Sequence, residues 1–311
     1  MRIFVAGATG AIGRPLVGQL VQAGHDVTGI TRSAERAQEL EKAGAKAIVC
    51  DVLLAEPLAR AVAEARPAVV IHQLTALPNR FEPRKSDLYE ETNQVRTVGT
   101  RNLLRAAKSA GARRFICQSI AFAYEPVGGP VKSEGDPLFS DAPEPFGSAV
   151  KVVEQMERAV LDAEGTEGVI LRYGWFYGPG TYFATDGSTA GDVRRRRYPI
   201  VGDGGGLFSF IHVEDAAAAT VAALDRGDPG IYNVVDDEPA PMREWLPLHA
   251  DSLGAKPPRR VPRWVMRILA GPLVARLSTG LRGASNVKAR RELGWDPIWP
   301  SWREGFRRAP R

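Results

Sequence analysis

The sequence is poor in the residues that build metal sites, disulfides and membrane spans. Its 311 residues include only 2 cysteines and 4 histidines. Cys50 and Cys117 each end an apolar run, and their spacing suits neither a metal site nor a disulfide framework. No apolar run reaches the roughly 18 residues of a transmembrane helix, and an apolar strand from residue 2 is not typical of a signal peptide. We therefore expect a protein of the reducing cytoplasm that holds no metal.

Acidic residues are scarce in the last part of the chain. Residues 243–311 contain 15 lysines and arginines but only 5 acids, and the whole chain has a net charge of +5. A basic surface can attract phosphate-bearing ligands, acidic partners or nucleic acid. No nucleic-acid-binding motif accompanies the charge, so we expect a solvated basic surface and no nucleic-acid partner.

The first thirteen residues carry the clearest motif. An apolar run predicts a buried strand, and Gly-x-x-Gly-x-x-Gly leads from it into a helical pattern. In a dinucleotide site such glycines make the tight turn, let the backbone approach the pyrophosphate, and let helix and strand pack closely. The free N–H groups at the helix start then face the phosphates. The motif predicts a nucleotide site made by Gly7, Thr9, Gly10, Ala11, Ile12 and Gly13.

Apolar strand-like runs alternate with helical patterns from residue 2 to about residue 172. This alternation predicts an α/β fold with a doubly wound, Rossmann-type parallel sheet. The second predicted strand covers residues 26–33, and no acid lies between Asp26 and Glu35. A carboxylate there would bind the ribose 2′-hydroxyl of NAD, whereas an arginine pairs with a 2′-phosphate. We therefore expect NADP, held by Arg32 and Arg36, with NAD as the alternative.

Landmarks along nearly the whole chain resemble the extended short-chain dehydrogenase/reductase superfamily, and within it the NAD-dependent epimerase/dehydratase group. A resemblance of this extent implies the group's fold and cofactor site. The landmarks are the glycine turn at 7–13, Asp51, Val70-Ile-His-Gln-Leu74, Asn93, Gly99-Thr-Arg-Asn-Leu-Leu104, the stretches 171–180 and 210–215, and the ending 288–295.

The resemblance implies a division of labour along the chain. A dinucleotide-binding domain would cover 1–173 and be rejoined by about 205–236. A smaller substrate-binding subdomain would come from 174–204 and 237–311. Relatives often dimerise through helices that here would be about 86–109 and 148–163, which leaves a homodimer open. The implied further cofactor contacts are Asp51, Val52, Leu74, Thr75, Ala76, Gln118, Ser119, Gly174, Trp175 and Phe176.

The sequence departs from this family where its members keep their catalytic residues. The family uses a Ser or Thr after the fifth strand and a Tyr-x-x-x-Lys pair, whose tyrosine passes a proton while the nicotinamide exchanges a hydride. No tyrosine of this chain is followed by lysine four residues later. Alignment with the family's motifs places Ile120, Phe146 and Val150 at the three positions.

A rival alignment uses Lys151 as the lysine and leaves Gly147 at the tyrosine position. On a helix, Lys151 falls on the polar face with Glu154 and Arg158, so we expect it to be solvated. Either alignment lacks the tyrosine, and another proton source is then needed. The candidates are Tyr124, Tyr173 and Tyr177.

An intact cofactor half beside an apolar catalytic half supports three hypotheses. The first is an NADP(H)-dependent oxidoreductase-like enzyme that transfers hydride to or from a small, fairly apolar carbonyl or alcohol substrate at a non-standard active site. The second is a redox-neutral epimerase, isomerase or dehydratase with bound cofactor, and the third a non-catalytic NADP(H)-binding sensor or scaffold.

Residues 261–278 predict two short amphipathic helices that cap an apolar pocket, so no membrane partner is expected. The run 194–197 contains four arginines, which would hold an anionic substrate group or, as we expect, form a solvated loop.

Overall fold

Strands and helices alternate in the first part of the computed structural model, which describes residues 1–78, 80, 82 and 85–308. Short apolar segments without polar alternation form the strands, as is typical of strands covered on both faces. The elements in chain order are β1 (Arg2–Ala6), α1 (Gly13–Gln22), β2 (Asp26–Thr31), α2 (Ala34–Lys42), β3 (Lys46–Val49), α3 (Ala55–Ala65), β4 (Val69–His72), α4 (Glu90–Gln94), a π-helical turn (Val95–Gly99), α5 (Thr100–Ser109) and β5 (Arg114–Ile120).

The second part of the chain mixes long elements with two- and three-residue strands. These elements are β6 (Val131–Lys132), α6 (Phe146–Leu161), β7 (Glu167–Tyr173), β8 (Trp175–Tyr177), α7 (Ser188–Arg194), β9 (Ile200–Val201), β10 (Leu207–Phe208), β11 (Phe210–His212), α8 (Val213–Ala222), β12 (Gly230–Val234), β13 (Ala240–Pro241), α9 (Met242–Ser252), β14 (Arg260–Val261), α10 (Arg263–Ala270), α11 (Pro272–Gly280), β15 (Gly283–Ala284), α12 (Val287–Leu293) and α13 (Trp302–Arg308).

The central sheet has seven strands in the order β12–β7–β5–β4–β1–β2–β3, and every pairing in it is parallel. The predicted doubly wound fold is therefore confirmed. The chain leaves β1 toward β2 on one side, while β4 pairs with β1 on the other. Ligands of such sheets bind outside the carboxyl ends of the strands at this point of reversal. Ala6 pairs with His72 and His72 with Cys117, so these strand ends meet at one edge.

Helices cover both faces of the sheet and enclose two apolar cores. One core contains α1 and α8 side chains such as Leu16 and Ala216, packed on Ile3 and Val169. The other contains Leu58, Leu103 and Met156 from α3, α5 and α6. Burial of apolar surface at about 25 cal/mol per Å² is the main force that fixes these helices on the sheet.

The helix before β5 differs from the one predicted over about 86–109. It begins at Glu90, after a turn, and its middle widens into the π-helical turn Val95–Gly99. One extra residue per turn shifts the faces of the helix without changing which residues favour helix, so an apolar period cannot reveal it. Arg96 lies in this turn and is buried.

A third core, rich in aromatic side chains, is formed by the segments that follow β7. Phe183, Phe210, Trp245, Trp302 and Phe306 all belong to it. Beside it, α10 and α11 form the two short helices predicted for 261–278, separated at Gly271, whose φ is 92°. Trp264, Ile268 and Leu269 on α10 are exposed. In the part of the chain that the structure describes, no helix is both long and apolar enough to cross a bilayer.

Candidate active site

The glycine turn has the shape that a dinucleotide needs. Gly7 adopts a φ of 92°, and Gly10 donates its N–H to the Gly7 carbonyl over 3.1 Å. A Cβ on Gly13 would lie 2.1 Å from the Gly7 carbonyl oxygen, so only glycine allows α1 to start this close to β1. No side chain caps the start of α1 after Ile12. The Arg14 N–H donates to the Gly10 carbonyl over 3.1 Å and Pro15 has no N–H, so Gly13 is the residue of the first helical turn that offers its N–H to a phosphate. The turn, with Thr9 and Ala11 on its outer side, therefore fits a pyrophosphate.

Two cations lie beyond the end of β2. Arg32 and Arg36 are both exposed, and neither forms an ion pair with a residue that the structure describes. Ser33 caps α2 by accepting the N–H of Arg36 over 3.4 Å, which fixes the helix start between the two guanidinium groups. These groups are free to contact a ligand that extends past β2.

The loop after β3 is tied to α5. The Asp51 carboxylate accepts the Leu53 N–H over 2.9 Å, and the Asn102 side chain donates to the carbonyls of Val52 and Leu53 over 3.0 and 3.2 Å. Val52 is buried against Gly99. This leaves the loop rigidly placed at the carboxyl edge of the sheet.

The segment after β4 is held by hydrogen bonds to His72 at the end of β4 and to Thr92 of α4. His72 accepts the Leu74 N–H at Nδ1, and its Nε2 lies 3.0 Å from the Thr100 hydroxyl. The Ala76 N–H donates to the Thr92 hydroxyl over 2.7 Å, while Thr75 remains exposed. His72 is therefore a buried, hydrogen-bonded residue, and burial lowers its pKa to about 4.

The far end of the cleft is closely packed. Trp175 stacks on Phe122 with 4.1 Å between ring centroids, and Phe176 lies 5.3 Å from the ring of Tyr173. A Cβ on Gly174 would lie 2.4 Å from the Ser209 carbonyl oxygen. Gln118 is half-buried, whereas the Ser119 hydroxyl is buried and donates to Glu157 over 2.6 Å.

Where the family keeps its Ser, Tyr and Lys, this structure has a continuous apolar surface. Ile120, Phe146 and Val150 are 8%, 4% and 0% exposed and belong to one cluster with Tyr89 and Leu138, which we call the apolar cluster. Lys151, one residue further along α6, is exposed, as its polar helix face predicts. Lys151 thus lies outside the apolar cluster.

The three tyrosines weighed as proton donors are all buried. The Tyr124 hydroxyl donates to Asn233 over 2.7 Å, and the Tyr173 hydroxyl lies 2.6 Å from that of Thr220. The Tyr177 hydroxyl is enclosed without a partner among the described residues. Burial raises the pKa of each of these phenols, so each is a weaker acid than a free tyrosine.

Two buried charges beside the apolar cluster are absent from the sequence-based site. The Glu157 carboxylate accepts two hydrogen bonds from Arg172, at 2.8 and 2.6 Å, in addition to that of Ser119. Arg172 also donates to the Tyr124 hydroxyl over 3.0 Å. The sequence gives little indication of this pair, because Glu157 lies on α6 next to the apolar stripe of that helix and Arg172 is the next-to-last residue of the apolar strand β7.

Other chemistry-bearing groups contribute little to this cleft. The described residues contain no group of three or more His, Cys, Asp or Glu side chains placed to hold a metal ion. In the arginine run 194–197, Arg194 is exposed and donates to the Thr185 carbonyl over 2.6 Å. The His212 side chain caps α8 by accepting the Glu214 N–H.

Comparison with known proteins identifies relatives over the full length of the chain. The sequence model described as the NAD dependent epimerase/dehydratase family matches residues 3–234. A Streptomyces 3-diazoavenalumate denitrifying reductase is 46% identical over 309 residues, 99% of this chain and 100% of its own. The 2-alkyl-3-oxoalkanoate reductase of Stenotrophomonas maltophilia is 27% identical over 311 residues, 97% of this chain and 91% of its own. Among solved structures, a human epimerase family protein with NADPH superposes with a TM-score of 0.75 at 20% identity, over 99% of both chains.

Proposed function

Because the chain belongs to the NAD dependent epimerase/dehydratase family, we propose that it is an NADPH-dependent reductase that removes nitrogen from an aromatic diazo carboxylate. That it is an NAD(P)-dependent oxidoreductase or epimerase-like enzyme follows from its relatives. The substrate class and the preference for NADP over NAD are proposed here in addition.

The apolar cluster carries this proposal. A ketone that accepts a hydride becomes an alkoxide, and a positioned acid is worth about 10²- to 10⁴-fold in rate at that step. An aryl diazonium ion that accepts a hydride becomes a neutral aryl diazene, which loses N₂ and leaves the arene. The second reaction develops no alkoxide. A site with Ile120, Phe146 and Val150 at the acid–base positions fits it better than it fits a ketone.

The relatives' names support the same class. The relative at 46% identity is named for reductive loss of nitrogen from a diazo compound, and its substrate is a carboxylate. The relative at 27% identity is named as a reductase of a 3-oxoalkanoate, which is also a carboxylate but a ketone. A carbonyl substrate, the expectation from sequence, is therefore the second candidate.

The chain's own residues would hold the cofactor along the carboxyl edge of the sheet. The glycine turn and the start of α1 would bind the pyrophosphate, and Arg32 with Arg36 the 2′-phosphate. Asp51 and Val52 would contact the adenine. Trp175 and Phe176 would line the nicotinamide, which supplies the hydride when bound. The apolar cluster would exclude water from the acceptor.

The test is NADPH oxidation by the purified protein with matched pairs of substrates. We expect a carboxylated aryl diazonium salt to be reduced to the arene with release of N₂, and the corresponding aryl ketone to be reduced far more slowly. Faster reduction of the ketone would transfer the assignment to the carbonyl candidate. Conversion of either without net NADPH oxidation would favour the redox-neutral hypothesis, and no conversion the sensor hypothesis.

A further inference from the structure

Arg96 is a buried cation that has no partner among the residues described by the structure. It lies in the π-helical turn between α4 and α5 and is 7% exposed. No hydrogen bond or ion pair joins its guanidinium group to any residue of the described ranges. A buried charge that lacks a partner is costly, so native proteins retain one mainly where something binds it. Single π-helical turns inside α-helices also occur frequently at functional sites.

The groups that face Arg96 do not neutralise it. They are Tyr89 from the turn before α4, His72 from β4, Cys117 from β5 and Glu157 from α6. Burial raises the pKa of the Tyr89 phenol and of the Cys117 thiol, and it lowers the pKa of His72 to about 4. All three are therefore uncharged at neutral pH. Burial lowers the pKa of Arg96 itself only to about 10, which leaves it charged.

The one carboxylate in this set already has its own cation. Glu157 accepts two hydrogen bonds from Arg172, at 2.8 and 2.6 Å, and one from Ser119. Its side chain and that of Arg172 are each 5% exposed. One carboxylate thus stands between two guanidinium groups, and the buried region keeps an excess positive charge at Arg96.

Arg96 lies beside the apolar cluster. Tyr89, which faces Arg96, has its ring centroid 6.1 Å from that of Phe146. Asn93, three residues before Arg96 and so on the same side of the helix, has an enclosed side-chain oxygen without a partner in the described chain. Arg96 and Asn93 both lie on the β4–β5 side of the cleft. The glycine turn and Arg32, which fit the cofactor's phosphates, lie on β1 and β2.

We propose that Arg96 binds the carboxylate of the substrate and thereby selects anionic substrates. The proposal rests on the proposed function for the identity of the substrate, but not for the presence of an anion site. A guanidinium group matches a carboxylate with two parallel hydrogen bonds, and the pairing would supply the missing buried anion. The apolar cluster would hold the aromatic part of the same molecule.

The test is binding of cinnamate and methyl cinnamate, which accept no hydride, to the NADP⁺-loaded protein by titration calorimetry. We expect the wild-type protein to bind the acid more tightly than the ester. Arg96→Met should weaken the binding of cinnamate by roughly 30-fold or more. This is the lower end of the affinity loss expected when one partner of a buried charge pair is removed. The same substitution should leave the binding of the ester nearly unchanged. Arg96→Lys should be intermediate. Arg101→Met, which removes an exposed arginine of α5, is the matched control and should bind both ligands like wild type.

Two further readouts separate this role from a structural one. Without ligand, Arg96→Met should unfold at the same temperature as wild type or higher, because it removes an unpaired buried charge. NADPH affinity should not change. A clear fall in unfolding temperature, loss of NADPH binding, or equal affinity of the wild type for acid and ester would overturn the proposal. If Arg96→Met selectively loses the binding of cinnamate and the wild-type protein reduces no diazonium salt, the anion site is supported and the proposed reaction is refuted.

Discussion

At the scale of single residues, buried apolar side chains occupy the three positions that align with the catalytic Ser, Tyr and Lys of the family. Ile120, Phe146 and Val150 are packed together, so they are parts of the core and not surface substitutions. Side chains of this kind stabilise the fold by burial, but they donate no proton. The chemistry of the site must therefore come from the cofactor, the substrate and the charges around them.

Arg32 should decide the choice of cofactor. Arg32 is exposed beyond β2, and no acid of the described chain pairs with it. Arg32→Ala should therefore weaken the binding of NADPH by about tenfold or more, which is the contribution of a hydrogen bond to a charged group. NADH should bind both proteins equally. The measurement is a nicotinamide fluorescence titration, with Arg60→Ala, an exposed arginine of α3, as control. An equal effect on both cofactors would refute the 2′-phosphate assignment.

His249 should make the protein sensitive to acid. It is buried against Phe306, and neither ring nitrogen has a hydrogen-bond partner in the described part of the chain. Burial, with a smaller effect of Arg194, lowers its pKa to about 4 from the ordinary 6.5. Between these values the unfolded chain binds the proton and the folded chain does not. The folded state therefore loses stability as the pH falls below 6.5, by about 2 kcal/mol at pH 5 for this residue.

The matched variant is His249→Phe, which keeps the ring and removes the titration. Between pH 7.5 and 5, the free energy of unfolding should fall for both proteins. We expect the fall to be about 2 kcal/mol smaller for the variant than for wild type, as measured by urea denaturation. Parallel pH profiles would show that His249 is protonated in the folded state or reaches water there.

The residues found only in the structure share one property. Lys151 could be assigned from sequence because helical period alone separates a solvated face from a buried one, and Lys151 is exposed in the structure. Arg96, Glu157 and Arg172 could not, because charged side chains on partly apolar elements are usually solvated. Their burial depends on contacts between elements far apart in the chain.

At the scale of elements, the glycine turn and α1 form the part of the fold most constrained by local geometry. Gly13→Ala should destabilise the protein and abolish NADPH binding, because the new Cβ would meet the Gly7 carbonyl oxygen at 2.1 Å. Gly18→Ala is the control within α1: nothing lies within 4 Å of its Cβ position, and it should stabilise the helix by roughly 0.5–1 kcal/mol. Thermal unfolding and a fluorescence titration check both effects. If Gly13→Ala binds NADPH normally, the turn does not hold the pyrophosphate.

Helix and strand positions were predictable to within a few residues where the apolar pattern was strong. The five sheet strands from β1 to β5 and the break at Gly271 between α10 and α11 are examples. The π-helical turn was not, since the sequence-based assignment of 86–109 assumed a regular helix. Arg96 lies in this turn, on the face that also carries the buried residues Thr92 and Leu103.

At the scale of the whole molecule, the sheet order brings the carboxyl ends of β1, β4 and β5 to one edge, where ligands of such sheets bind. The family's fold and its nicotinamide cofactor follow from the sequence motifs and are confirmed. The boundary between the dinucleotide-binding domain and the substrate-binding subdomain, and the homodimer, stay predictions. The reaction stays a proposal, which rests on the apolar cluster and on the names of two relatives.

The proposed reaction is tested most directly by following the cofactor and the released nitrogen together. A carboxylated aryl diazonium salt would be reduced with unlabelled and, separately, with C4-dideuterated NADPH, and NADPH oxidation, N₂ release and arene formation would be measured in the same reaction. The account predicts one NADPH oxidised for each N₂ released and each arene formed, and slower single-turnover oxidation of the deuterated cofactor. Release of N₂ and formation of the arene without oxidation of NADPH would contradict it, because the cofactor would then not supply the hydride.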